Sequence, residues 1–210
     1  MRLYGYKPSL NVYKVRLALA QLQIPYEEID ISIFEGASHT SEFLKKNPAG
    51  AVPVLEPEEG KFLSESNAIL CYLAEGTFLL PGEKWQRAKI LQWLFFEQDY
   101  VQPSIATLRY WHLTKKIGTR MDDDIANRKK GAIRVLEALS QILQNQDFLA
   151  GSYSIADIAL YSYTHRAEEG GVDLQPYPQV RKWLSKVENT ENYTDEIYPY
   201  DIDPHAIKEL

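Results

Sequence analysis

The sequence predicts a small α/β domain followed by an all-helical domain. Two observations predict it. Up to about residue 75, short apolar stretches alternate with stretches of helical periodicity, and Pro and Gly punctuate them. From residue 85 onward a helical period dominates, with few strand-like runs. Between them, Gly76–Lys84 (GTFLLPGEK) carries a Pro-Gly turn signal and reads as a linker. The expected division is therefore residues 1–76, a linker at 77–84, and a helical domain over 85–210. A chain of 210 residues has room for both.

Each element follows from its residues. Arg2–Tyr6 alternates weakly between apolar and polar, as a short first strand does. Lys7, Pro8 and Ser9 break it. Val12, Val15, Leu19 and Leu22 then recur on one helical face. Ile24-Pro25 stops that helix, because the residue before proline is pushed out of the α region. Tyr26–Ile31 reads as a second strand. Between Phe34 and Lys46, residues Gly36, Ser38, Thr40 and Ser41 indicate a loop with a short helix. Val52–Glu56 and Lys61–Ser64 are joined by Pro57-Glu58-Glu59-Gly60, which is hairpin grammar. Ser66–Ala74 is a helix ended at Gly76. Gln86–Lys116 is a long helical pattern with Pro103 inside it, where a kink is expected. After a break at Gly118–Asp124 come helices over Asp124–Gln144, Ser154–Ala167 and Pro178–Glu188. Ser154 and Asp157 have the spacing of a capping box. Asn189–Leu210, rich in Tyr, Pro and acids, reads as an extended tail.

Composition removes several function classes. The chain is 45% hydrophobic and 25% charged, which suits a folded core. Its formal net charge is −6 and both parts are mildly acidic, so no surface for nucleic acid or an anionic membrane is expected. No apolar run reaches the ~18 residues of a membrane span, and MRLYGYKPS has no apolar stretch of signal-peptide length. Cys71 is the one cysteine, which excludes an internal disulfide. It lies between Leu70 and Tyr72 in a helix and reads as a small hydrophobe. His39, His112, His165 and His205 lack ligand spacing, so no metal site is expected. The 14 Tyr, 7 Phe and 4 Trp suit a pocket or interface built from rings.

Local patterns carry chemistry, each with a plainer alternative. In Asn47-Pro48-Ala49-Gly50-Ala51-Val52-Pro53-Val54-Leu55, Pro53 stands at a strand start. A cis Val52–Pro53 bond would turn the Val52 N–H and C=O outward, to pair with an extended peptide; the alternative is a plain loop. Glu65-Ser66 opens a helix after a strand. Ser66 can cap that helix, or hold a carboxylate at its N-terminus while Glu65 meets an ammonium. Ser9 and Asn11 lie in the turn before the first helix. Ser9 can cap it, or donate a hydrogen bond to a bound thiolate at its positive end. Ser9 has no His–Asp partner near it in the sequence, so nothing marks it as an acyl-transfer nucleophile.

In this order, the Ser9 turn, NPAGAVPVL, ESNAIL, a linker and helices bearing GSYSIAD resemble the cytosolic glutathione S-transferase superfamily. The turn is similar to that of bacterial-type and theta- or delta-like members, and the resemblance covers residues 1–188. It implies a thioredoxin-like first domain that binds glutathione as cosubstrate, without a metal. Val52 and Pro53 would meet the cysteinyl part, and Glu65 and Ser66 the γ-glutamyl end. Ser9, Asn11 and Tyr6, in that order, are the candidates to stabilise the thiolate. The thiolate would then attack small hydrophobic alkyl, aryl or isothiocyanate electrophiles. The resemblance further implies a cytoplasmic homodimer acting in detoxification. The same frame also serves non-catalytic binding or scaffold proteins, and glutathione-dependent isomerases or dehalogenases.

The sequence departs from the family pattern in places. Ala51 stands where many bacterial relatives have Lys or Arg against the glycine carboxylate, and Lys45 or Lys46 are the substitutes at hand. Asn67 stands where Arg is frequent. No cysteine lies at 9–11, which argues against thiol exchange through an enzyme cysteine. The electrophile pocket is expected between the domains, with Tyr100, Leu108 and Trp111 on one face of the Pro103-bearing helix as its walls; the alternative is that these residues pack the helical core or a dimer seam. The tail, with Tyr193, Tyr198 and Tyr200, is placed to fold over that pocket.

Overall fold

The computed structural model describes residues 1–208. Internal contacts divide the chain into two units: Met1–Ala74 together with the segment from Glu191 onward, and Glu75–Thr190. The terminal segment, expected to extend the helical domain and fold over its pocket, packs on the first unit. There the Tyr13 hydroxyl donates to the Thr194 carbonyl at 2.7 Å, and Arg16 Nη2 donates to the Glu196 carbonyl at 3.2 Å. Arg16 also lies over the Tyr198 ring, 5.1 Å from its centre.

The first unit runs β1 (Arg2–Gly5), α1 (Leu10–Gln21), β2 (Glu27–Asp30), α2 (Ser41–Leu44), β3 (Val54–Glu56), β4 (Leu63–Ser64) and α3 (Ser66–Ala74). The sheet order is β2-β1-β3-β4, with β1 and β2 parallel and the rest antiparallel. This is the thioredoxin-like arrangement. Alternation along the strands feeds two cores. Leu3 and Leu55 point to α1 and α3, with Val12, Val15, Leu19, Ile69 and Leu73. Tyr4 and Val54 point the other way, to Phe43 of α2. Gly5 lets α1 come this close, because a Cβ there would stand 2.6 Å from Val12 Cγ1.

α1 ends before the proline rather than at it. Gln23 adopts φ 54°, Gln23 N–H bonds the Ala20 carbonyl, and Ile24 N–H bonds the Leu19 carbonyl. That is a Schellman closure with Gln in the left-handed position. The segment from Phe34 to Lys46 resolves into 3-10 turns at Ile33–Glu35 and Ala37–His39 before α2.

Glu56 closes the β3–β4 hairpin. It accepts from the Gly60 N–H at 2.9 Å and the Tyr4 hydroxyl at 2.8 Å, with Arg2 Nη1 at 3.3 Å. These donors, Gly60 first, hold its carboxyl below the usual range. A lowered folded-state pKa stabilises above the ordinary carboxylate value and fades on acidification. Glu56→Gln should therefore lower the urea midpoint at about pH 7, and the gap to wild type should close towards about pH 3.

The second unit contains α4 (Lys84–Phe96), a widened π-type stretch at Glu97–Ala106, α5 (Thr107–Leu113), α6 (Asp122–Ile142), α7 (Ile155–Thr164) and α8 (Pro178–Glu188). Instead of a simple kink, Pro103 sits inside the widened turn. Proline removes one N–H and crowds the carbonyl a turn back, and side chains bond to carbonyls of the widened stretch. Ser104 Oγ donates to the Tyr100 carbonyl, Thr107 Oγ1 to Gln102 at 3.0 Å, and Arg128 Nη1 to Pro103 at 2.7 Å. α6 starts two residues earlier than its apolar pattern indicates, with Asp122, Asp123 and Asp124 in its first turn at the positive helix end.

The Ser154–Asp157 capping box opens α7 as expected. Asp157 does more than cap. Its Oδ2 accepts from Ser154 N–H at 3.0 Å, and its Oδ1 accepts from Leu149 N–H and Trp183 Nε1, each at 2.9 Å. Among the described residues, no helix is long and apolar enough to cross a membrane.

Candidate functional site

The strand register gathers the candidate residues of the first unit at one end of its sheet. β1 and β3 are antiparallel with Tyr4 opposite Val54, and Val54 lies opposite Ser64 of β4. The exit of β1 towards Ser9, the entry to β3 at Val52-Pro53, and the exit of β4 into Glu65-Ser66 therefore share an edge. The Val52–Pro53 bond is cis. Among the described residues, neither the Val52 N–H nor its C=O has a partner.

Asn47 shapes the approach to that bond. Its Nδ2 donates to the Ala51 carbonyl at 2.7 Å and its Oδ1 accepts from Ala49 N–H at 3.1 Å. Gly50 is left-handed at φ 65°, and a Cβ there would meet His39 Nε2 at 3.0 Å. His39 thus lies against the loop that leads to Val52. Of the two lysines considered for a missing cation at Ala51, Lys46 is turned elsewhere, with its ammonium 4.7 Å from the Phe62 ring and 5.3 Å from that of Tyr4. Lys45 is exposed at the end of α2.

Ser9 occupies the N-cap position of α1, but its side chain makes no capping bond. Its carbonyl accepts from Val12 and Tyr13, and its N–H bonds the Tyr6 carbonyl at 2.9 Å. The hydroxyl is thereby left at the positive end of the helix with no capping duty.

Ser66 does not act as an N-cap either. It is buried, and its Oγ accepts from Lys14 Nζ at 3.1 Å and donates to Asn11 Oδ1 at 3.3 Å. Lys14 Nζ also donates to Asn67 Oδ1 at 3.1 Å. A fully buried ammonium from α1 thus stands behind the start of α3. Glu65, just before, is exposed and held at φ 67°. A non-glycine residue in that region costs of order 1–3 kcal/mol and is kept where the surroundings require it.

Tyr6 faces a different way. Its ring packs on Phe34 and Tyr200, at 5.7 and 6.0 Å between centres, and its hydroxyl faces Asp203. Burial, and then the Asp203 carboxylate, drive its phenol far above the ordinary range. In the second unit, Tyr100 is 41% exposed and stacks on Phe96 at 4.8 Å. Trp111 is half-buried under Arg120. Leu108, expected as a pocket wall, has no exposed surface, so it fills the core of its unit.

Sequence patterning passed over Lys14, Asn47 and His39. Lys14 falls among apolar residues of α1, where charge alone predicts solvent. The Asx turn at Asn47 was the one legible signal, since Asn favours local backbone bonds. Among the described residues, no group of three or more His, Cys, Asp or Glu is placed to hold a metal ion.

Comparison with known proteins bears on this frame. Residues 1–75 match the model of the glutathione S-transferase N-terminal domain, and residues 101–191 that of the C-terminal domain. A crystal structure of glutathione S-transferase from Pseudomonas fluorescens Pf-5 is 40% identical, with a TM-score of 0.91 over 94% of this chain and 98% of that one. A possible glutathione S-transferase from Rhodopseudomonas palustris is 42% identical, with a TM-score of 0.89 over 94% and 90%. The disulfide-bond oxidoreductase YfcG of Escherichia coli is 30% identical, over 87% of each chain. With a fold, a cis-proline edge and both domain models in agreement, the chain belongs to the glutathione S-transferase family.

Proposed function

We propose that the chain binds glutathione at the Ser9–Val52–Ser66 edge, ionises its thiol, and conjugates it to small hydrophobic electrophiles. The observation that carries this reading is the Ser9 hydroxyl, which stands at the start of α1 with no capping bond. A free thiol has a pKa near ~8.5 and is a few per cent ionised at neutral pH. Lowering it by about two units takes roughly 2.7 kcal/mol of preference for the anion. A hydroxyl hydrogen bond to the sulfur plus the helix dipole is of that order. Asn11 is the second candidate donor.

In this reading the Val52 backbone pairs with the cysteinyl backbone of glutathione. Ser66 and the N-terminus of α3 take the γ-glutamyl carboxylate, and Glu65 takes the ammonium. Lys14 supplies behind Ser66 the positive charge that Asn67 does not. Lys45, as a cation, and His39, as a ring N–H donor, are the side chains at hand for the glycine carboxylate. The thiolate attacks an electrophilic carbon, a C–S bond forms, and halide leaves with its electron pair. With an isothiocyanate the nitrogen instead takes up a proton. Tyr100 and Trp111 are the rings of the second unit suited to an apolar electrophile. Exposed Phe78, Trp85 and Phe95 are candidates for a homodimer contact, which sedimentation would detect as a doubled mass.

Retention on immobilised glutathione, followed by turnover of an activated aryl halide and an isothiocyanate, is the expected result; absence of binding contradicts the reading. Lys14→Met should raise the glutathione KM about tenfold or more with little change in kcat. The likeness to a disulfide-bond oxidoreductase supports a second reading, in which two glutathiones reduce a disulfide and leave as glutathione disulfide. No cysteine stands at 9–11, so all electrons would come from glutathione. Faster reduction of a small organic disulfide than of any conjugation would favour it.

A further inference from the structure

A cavity of about 260 Å³ opens in the first unit beside the end of β1, lined by Tyr6, Pro8, Asp30, Ser32, Glu35 and Asp203, with Lys7 and His205 at its wall. Among the described residues, three buried oxygens on this lining meet no hydrogen-bond partner at close range: the hydroxyls of Tyr6 and Ser32, and Asp203 Oδ2. Tyr6 is 3% exposed. Phe34 and Tyr200 fix its ring, and its hydroxyl faces the Asp203 carboxylate, which acts on it directly. Buried polar atoms in folded proteins nearly always have a partner. Here three of them belong to one cavity.

The charge around them is negative. Asp30, Glu35 and Asp203 line the space; Glu35 is paired with His205 at 3.1 Å, and the Lys7 ammonium lies 5.8 Å from the Tyr198 ring centre. No group of three metal-ligating side chains stands there among the described residues. Each of the three oxygens can accept an N–H donor, the two hydroxyls can also donate, and Asp203 is a carboxylate.

We propose that this cavity binds a small organic cation through a primary ammonium group. Its three N–H donors match the three unmet oxygens, and Asp203 supplies the counter-charge. The alkyl part lies along Pro8, Ile202 and Pro204, which line the same space. The site uses none of Ser9, Val52 or Ser66, so it stands apart from the glutathione reading.

Calorimetric titration of the full chain at low salt, with n-butylammonium, tetramethylammonium and n-butanol as probes, decides it. Saturable one-to-one binding of n-butylammonium is expected, with a Kd of about 1 mM for so small a probe. Tetramethylammonium, a cation without N–H, and n-butanol, a neutral analogue of the same length, should bind at least about tenfold more weakly. Asp203→Asn should weaken n-butylammonium about tenfold. Ser32→Ala, a smaller change to the fold, should weaken it severalfold. Three results overturn the proposal. One is a flat titration, which means that water alone meets the three oxygens. Another is equal binding of tetramethylammonium, which means that only a diffuse acidic field is present. The last is unchanged affinity in folded Asp203→Asn and Ser32→Ala proteins.

Discussion

Replacing Ser9 with alanine is expected to raise the pKa of the bound glutathione thiol by about 1–2 units and to cut turnover at neutral pH about 10–100-fold. The glutathione KM should hardly move, because the Val52 edge and the start of α3 stay intact. The same substitution is expected to leave stability within about 0.5 kcal/mol of wild type. That is an unusual expectation for an N-cap serine, whose loss typically costs ~1 kcal/mol. It follows from the absence of any capping bond from the Ser9 side chain. Stability and turnover measured together separate the roles. A large stability loss would mean that Ser9 caps α1 in solution. Full turnover in Ser9→Ala with a deep loss in Asn11→Ala would pass the thiolate to Asn11.

The largest expected effect on stability is at Asp157. Its carboxylate is fully buried and gathers the Leu149 and Ser154 N–H groups and the Trp183 ring N–H. Asp157→Ala strands three buried donors and opens a gap, and should cost about 3–5 kcal/mol by urea denaturation. Asp157→Asn keeps the shape and should cost less. Burial pushes the Asp157 pKa up to about 6, against the donors that favour the anion. The sign is opposite to that of Glu56. A raised folded-state pKa means that the native chain holds the proton more tightly than the unfolded one. Its contribution is thus fullest below the ordinary aspartate value of 3.8 and is lost as pH rises through about 6. A carboxyl titration near pH 6, followed by the Trp183 ring N–H resonance, should report it.

Much of this fold was legible because the signals are local. The alternation at Leu3 and Tyr4, the Pro-Glu-Glu-Gly turn and the Ser154–Asp157 box each depend on neighbours a few residues away. At the end of α1 the local signal is Pro25, but a left-handed Gln23 closes the helix first. At Pro103 the periodicity predicts a kink and not a widened turn, because it does not report which carbonyls side chains will bond.

The site was legible in its residues more than in their wiring. Ser9, Val52, Pro53, Glu65 and Ser66 were chosen from motif order, and the strand register brings their segments to one edge. Lys14 was not, since its bonds to Ser66 and Asn67 span more than fifty residues of chain. The end of the chain was assigned by proximity in sequence to the helical domain, whereas Tyr13, Arg16 and Tyr6 hold it on the first unit. Contacts of such long range leave no periodic trace.

The most direct test of the thiolate reading is a pH titration of the thiolate ultraviolet band of glutathione bound to the wild-type chain. A bound thiol ionised at neutral pH is expected, with a pKa about two units below the ~8.5 of the free thiol. A bound thiol that titrates like free glutathione would contradict it.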